Sequence, residues 1–201
     1  MAAGLLKVYA PSSLVDLFKE TEGEIQNTMA NFGHIPYGQS MIGRLYFNAS
    51  NPDGCQAGSN FTNDFSGDPD EVLSPIFLVE ASGKCSFVTQ TRNIAKAGGA
   101  LALIIDQDNE DVSNVVLSDD GTGAGIRIPA MLINKIHGDI LKKHLTTAGE
   151  KELKETLLKA DFLVTMGINN NVDAELWYTS SDDKSLDFIR NMAEYYEPIL
   201  G

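Results

Sequence analysis

Basic residues are scarce in this 201-residue chain: 15 Lys and Arg stand against 28 Asp and Glu, for a formal net charge of -13. Nucleic-acid binding relies on clustered Lys and Arg to displace counterions from phosphates, so composition argues against that partner. Docking on an anionic membrane surface is disfavoured for the same reason. No apolar run approaches the roughly 20 residues that a membrane-spanning helix requires. Met1-Ala2-Ala3-Gly4 lacks the basic stretch and apolar core of a secretory leader. It reads as a vector-derived start before Leu5, which leaves a leader and any membrane anchor to segments outside this sequence.

Histidine is rarer still, with three residues, His34, His137 and His144. His137 and His144 fall on one predicted helix about 10 Å apart, too far to share a metal ion. There is no His-x-x-x-His or Cys-x-x-Cys pair and no Gly-x-Ser-x-Gly elbow to expose a nucleophile. Acids are plentiful, yet no spacing singles out a glycosidase-type pair. Gly121-Thr122-Gly123-Ala124-Gly125 lacks the preceding strand and following helix of a phosphate cradle, and reads as a flexible loop. Asp106-Gln107-Asp108-Asn109-Glu110-Asp111 starts like a calcium loop. Asp111 and Leu117, however, stand where an EF-hand needs Gly and Glu. No catalytic site and no resident cofactor are expected, with only a loosely bound calcium ion left open at this acidic run.

The remaining composition is that of a globular domain, 43% hydrophobic and 21% charged. Leu5 to Tyr9, Met41 to Phe47, Ile76 to Val79 and Leu101 to Ile105 read as strands. Ile126 to Ile133 reads as another, with Pro129 marking an edge or a strand start. Phe162 to Met166 and Ala174 to Tyr178 are expected to close the sheet. Phe87, Val88, Thr91, Ile94 and Ala95 share one helical face, and Gly98-Gly99 supplies a left-handed cap. A second helix buries Ile136, Ile140, Leu141 and Leu145. A last helix starts near Asp183 and aligns Leu186, Ile189, Met192 and Tyr196. The strand–helix–strand unit spanning 76–105 predicts a crossover between parallel strands. Two long polar loops, 48–75 and 106–125, lie between these elements. The fold class is therefore mixed α/β, in one domain over residues 5–201.

The two cysteines, Cys55 and Cys85, are flanked by Gly and polar residues, which places them in loops. Free thiols and a bridge both remain open on this ground, and a bridge would stabilise the fold by about 3–4 kcal/mol. Two N-glycosylation sequons, Asn48-Ala49-Ser50 and Asn60-Phe61-Thr62, lie close by and favour a secretory-pathway lumen.

The run Ser82-Gly83-Lys84-Cys85-Ser86-Phe87, then Ala95-Lys96-Ala97-Gly98-Gly99-Ala100 before a strand, resembles the protease-associated (PA) domain. Its hallmark is a Gly-x-Cys-x-Phe turn feeding a helix that ends in Lys-Ala-Gly-Ala. Ile128-Pro129-Ala130 fits the family's Ile-Pro strand start. The block Asn31-Phe32-Gly33-His34-Ile35-Pro36-Tyr37-Gly38-Gln39-Ser40-Met41-Ile42-Gly43, with Glu175-Leu176-Trp177 near the end, is similar to the luminal head of vacuolar sorting receptors.

That resemblance implies a barrel- or sandwich-like mixed sheet flanked by two to three helices, and a Cys55–Cys85 bridge. It implies no catalysis and recognition of sorting peptides on soluble vacuolar or lysosomal cargo, in a protein anchored to the membrane by a segment not in this sequence. Cargo-facing positions would lie in Ser82 to Phe87 and Asp106 to Arg127, namely Ser82, Gly83, Lys84, Ser86, Asp108, Asn109 and Arg127. The family has Arg before the turn Gly and Asp after it, where this chain has Ser82 and Lys84. The charge is reversed at the second position, so cargo preference does not carry over. Gly83, Cys85 and Phe87 themselves are expected to serve as tight turn, staple and core anchor. Two other roles fit the same domain: substrate capture by a transmembrane RING ubiquitin ligase, and an accessory domain of a peptidase.

Overall fold

A computed structural model of the protein describes residues 5–58, 73–108 and 111–162, with Lys184, Asp187, Phe188 and Asn191. Backbone packing divides the chain into Met1–Thr165 and Met166–Gly201, and the first unit carries the elements below.

Seven strands form one sheet: β1 (Leu5–Ala10), β2 (Asn27–Met29), β3 (Ser40–Phe47), β4 (Ser74–Glu80), β5 (Leu101–Ile105), β6 (Ala130–Ile133) and β7 (Leu157–Asp161). Their order is β1-β7-β3-β4-β5-β6-β2. The central run β3-β4-β5-β6 is parallel, while β7 on β3, β1 on β7 and β2 on β6 are antiparallel. β1 also bonds outward, from Val8 N–H to the Gly23 carbonyl at 2.9 Å and from Ile25 N–H to the Leu6 carbonyl at 2.8 Å. That same segment runs on into β2 at the opposite edge, so the sheet curls into a half-barrel and the outer edge of β1 is partly covered.

Parallel strands need crossovers, and crossovers cover both faces. Along β4 and β5, Ile76, Leu78, Leu101 and Leu103 point into the curl, where Leu6, Phe18, Ile25, Leu45 and Leu158 meet them. Phe77, Val79, Ala102 and Ile104 point the other way, against Val88 and Ile94 of α2 (Phe87–Lys96) and against Val112, Leu117 and Ile126. The unbroken apolar runs therefore reflect strands buried on both sides. α2 begins at Ser86, whose hydroxyl accepts the Thr89 N–H at 3.2 Å. It ends before Gly98, whose φ of 86° is the left-handed cap expected there. Gly99 is needed for space, since a Cβ there would overlap Ile94 and Phe77.

Several boundaries differ from the sequence reading. The strand expected from Ile126 is only Ala130–Ile133, because Pro129 has no N–H for a ladder and Ile126 and Ile128 pack as loop residues. The strand expected from Phe162 is instead Leu157–Asp161, with buried Phe162 just past its end and 163–166 outside the described residues. The strand expected at 174–178 also lies outside them. So do Leu186, Ile189, Met192 and Tyr196, although Lys184, Asp187, Phe188 and Asn191 are helical. The short helices α1 (Ser12–Val15) and α4 (Glu150–Lys154), a 3-10 turn at Asp16–Thr21 and strand β2 carry too few periodic residues to be read in sequence.

The helix α3 (Lys135–Thr147) is capped by Asn134, which accepts the His137 N–H at 2.8 Å. Its inner face is Gly138 and Leu141, with Ile140 and Leu145 packed alongside. Ile136, expected in that stripe, is instead 57% exposed. At 100° per residue it lies about 200° around the helix from Gly138. Gly138 is where α3 touches the sheet, since a Cβ added there would strike the Ile105 side chain of β5. Gly138→Leu is expected to lower stability by about 3 kcal/mol, the upper part of the overpacking range, read from urea unfolding. A loss below about 1 kcal/mol would mean that α3 is free to move off β5.

Candidate functional site

A cleft of about 260 Å³ opens beyond the carboxyl ends of β4 and β5. In parallel sheets this is where ligands gather, because loops diverge there while the strands fix their roots. Pro52 and Asp53 form one wall, Glu80 to Ser82 and Lys84 a second, Ile105 to Gln107 the floor, and Lys135 and Asp139 of α3 the far side.

The first wall has no strand to carry it. It is held by Cys55, bonded to Cys85 across 30 residues, and by two amides of α2. Gln90 Nε2 donates to the carbonyls of Asp53 (2.6 Å) and Glu80 (2.8 Å). Asn93 Nδ2 donates to those of Gly54 (2.9 Å) and Cys55 (3.2 Å). Both are buried polar side chains of a helix that also buries Val88 and Ile94, and apolar periodicity cannot single them out. A salt bridge ties the same segment to the turn: Lys84 Nζ lies 2.9 Å from Asp53 Oδ2. The Asp53 carboxylate is mostly covered, and Cys55 N–H donates to its other oxygen at 3.2 Å. The Lys84 ammonium, joined by hydrogen bonds from Cys55 and Ser82, holds the Asp53 carboxyl below its ordinary value of 3.8 against the opposing effect of burial.

Ser82 and Lys84 thus line the cleft, while exposed Gly83 turns the chain between them at a φ of 69°. Ser86 sits at the other end of the turn and is engaged, capping α2 and donating its hydroxyl to Asp120. Asp120 also accepts from the Thr122 N–H (2.9 Å) and hydroxyl (2.6 Å). The amides of Gly121 and Gly123 go to Asp119 at 2.9 and 2.8 Å. The glycine-rich stretch expected to be a flexible loop is therefore a folded turn. The amides of Gly121, Thr122 and Gly123 are occupied by internal carboxylates, which takes them away from any phosphate cradle.

Asp106 and Gln107 reach the cleft from the end of β5, and Gln107 Nε2 bridges to the Ala81 carbonyl at 2.7 Å. Asp108 and Arg127 are exposed and do not line it; Asn109 and Asn60 lie outside the described residues. Asp106 opens the segment expected to face cargo, whereas sequence reasoning missed Asp53, Glu80, Lys135 and Asp139. They are contributed singly by separate elements, and no motif joins them.

His34 is exposed, and the other two histidines serve structural contacts. His137 sits 5.3 Å from the Phe18 ring, with its pKa lowered by burial. His144 Nε2 lies 3.0 Å from the Thr156 hydroxyl. That hydroxyl gives its proton to the Glu152 carbonyl, so His144 is the donor. Among the described residues no three His, Cys, Asp or Glu side chains are grouped to hold a metal ion. Asp111 instead accepts the Ser113 N–H at 2.9 Å and a bond from Gln26. No helix among the described residues is long and apolar enough to cross a membrane.

A curled mixed sheet with a polar cleft at its parallel strand ends, walled by a disulfide-tied segment, defines a PA-type fold. The chain belongs to the PA domain family, whose model matches residues 41–141. Similarity to curated proteins extends further along the chain. Vacuolar-sorting receptor 7 of Arabidopsis thaliana is 27% identical over 186 residues, covering 86% of this chain and 28% of the receptor. Vacuolar-sorting receptor 5 of the same plant is 31% identical over 173 residues, 81% of this chain and 26% of the receptor. The chain thus spans about a quarter of the length of these relatives. Signal peptide peptidase-like 5, also from Arabidopsis thaliana, is 32% identical over 81 residues, 40% of this chain and 15% of that protein. Among solved structures, an aminopeptidase from Aneurinibacillus sp. strain AM-1 matches with a TM-score of 0.50 at 16% identity, covering 80% of this chain and 30% of that one. It shares the fold.

The Asp53–Lys84 pair yields a pH prediction. A carboxyl whose folded pKa is depressed adds stability above its unfolded value, and that stability is lost as pH falls through the folded value. Asp53→Asn is therefore expected to cost about 1–3 kcal/mol at pH 7, with the gap to wild type closing below the ordinary value of 3.8. Urea midpoints at pH 7 and at about pH 3 would check this. A gap that persists undiminished in acid would assign the loss to packing instead.

Proposed function

We propose that this chain is the luminal, non-catalytic PA domain of a membrane-anchored sorting receptor. On this reading it binds an extended peptide segment of soluble vacuolar or lysosomal cargo, laid over the cleft between the Ser82–Ser86 turn and the segment that follows β5. The observation that carries the reading is the extent of likeness. Vacuolar-sorting receptors match 81% to 89% of the chain, well past the family core at 41–141. The signal peptide peptidase-like relatives match 40% and 50%. The cleft supports it physically. Its walls are pinned by a disulfide and side-chain amides, so little ordering remains to oppose peptide binding. Ser82, Gly83, Lys84 and Ser86 take the cargo-facing role, with Asp108, Asn109 and Arg127 assigned to it from the stretch of sequence that follows β5. The segment after Met166 belongs to the receptor-type extension.

The shared fold of the aminopeptidase favours a second reading, an accessory domain that positions substrates for a peptidase. A peptide array tiled over soluble vacuolar hydrolases separates the two. Sorting recognition predicts retention of a few segments near cargo termini. Broad retention without a common segment fits the accessory role, and no retention at all removes peptide binding.

The luminal reading also predicts a glycan at Asn48. The Asn48 Oδ1 accepts the Ser50 N–H at 2.8 Å, an Asx turn with Ala49 and Ser50 exposed. Protein secreted from eukaryotic cells is expected to lose the mass of one glycan when Asn48→Gln is introduced and of a further one with Asn60→Gln. Bare asparagines after secretion would remove both assignments.

A further inference from the structure

The charges around the cleft do not balance, and the imbalance names a ligand chemistry. Lys84 is matched by Asp53 at 2.9 Å. Lys142 is matched by Glu80 at the end of β4, and its ammonium also sits 5.7 Å from the centre of the Phe47 ring. Lys135 faces Asp139 one helical turn away at 4.0 Å. Each lysine around the cleft thus has a carboxylate, and each of those carboxylates has its lysine.

Asp106 is left over. Its carboxylate accepts the N–H of the next residue, Gln107, at 2.8 Å and has no cationic partner among the described residues. It stands at the floor of the cleft, half-buried, in a chain whose formal charge is -13. Partial burial strengthens its attraction for a cation relative to an exposed carboxylate. A metal ion is a poor match, since no three suitable side chains are grouped there among the described residues.

We propose that the cleft selects a peptide carrying an arginine or lysine side chain, with Asp106 as the residue that receives the cationic head. Lys84 occupies the turn position where a free cation would attract a cargo carboxylate. Its pairing with Asp53 removes that attraction and leaves Asp106 to set the sign. The aliphatic stem of the incoming side chain would lie along Ile105 and Ala81, which also line the cleft.

This inference rests on the peptide-binding reading above, and the test separates the two. Four peptides differing at one position, acetyl-Ser-Leu-X-Leu-Ser-amide with X as Arg, Lys, citrulline or Glu, are titrated into the 15N-labelled domain. The Arg and Lys peptides are expected to shift the amides of Ala81, Ser82, Asp106 and Gln107 and to bind at least about fivefold tighter than citrulline, or about 1 kcal/mol. In Asp106→Asn, which keeps the acceptor for the Gln107 N–H, that preference is expected to fall below about twofold. A parallel calcium titration should leave the same amides unmoved. Equal binding of Arg and citrulline peptides overturns the charge preference and leaves peptide binding standing. So does a preference that survives Asp106→Asn, or calcium-induced shifts at the same amides. Silence from all four peptides, together with an empty hydrolase array, overturns both readings.

Discussion

Four backbone carbonyls at the open end of the sheet, those of Asp53, Gly54, Cys55 and Glu80, depend on two side-chain amides of α2, Gln90 and Asn93. Buried carbonyls without donors are costly, and the segment from Asp53 to Cys55 has no strand partner to supply them. The two amides do what a ladder would do for a strand. The Cys55–Cys85 bridge and the Asp53–Lys84 pair then fix that segment against the turn that precedes α2. Remove this set of ties and the cleft loses a wall while the sheet keeps its core.

The arrangement places covalent, neutral polar and ionic restraints on one small surface region. Each acts on a different part of it. The bridge limits how far the two loops separate, the amides set backbone orientation, and the ion pair settles the direction of the Lys84 side chain. A rigid wall suits recognition of a flexible segment, because the ordering cost then falls on one partner alone. It also explains how a turn that differs from the family pattern at Ser82 and Lys84 keeps its shape. The substituted lysine is absorbed by a carboxylate from the neighbouring loop.

Curling of the sheet serves the same end. Segment 23–25 bonds to β1 and continues into β2, so the two edges are linked through one stretch of chain. The parallel strands at the centre are buried on both faces and bring β4, β5 and the start of α3 to one end. Glu80, Asp106 and Lys135, far apart in the chain, meet there because each ends a strand, follows one directly or opens the helix after one.

Much of the frame was legible in the chain. The apolar runs at 76–79 and 101–105 mark strands, the periodicity of 87–95 marks α2, and Gly98 marks its end, because burial and backbone conformation constrain residue type locally. Short elements such as β2 and α4 offered no period to read, and Ile136 misled because an apolar residue near a stripe need not face inward. The turn at Ser82 to Ser86 and the acidic run from Asp106 were visible in the sequence, whereas Asp53, Lys135 and Asp139 were not. Sequence by itself determined the class of fold, the cysteines and the acidic character, which are properties of residues and their neighbours. Only the tertiary structure decided which charges cancel and which one is left over, because ion pairing depends on distances between side chains that the chain order does not contain.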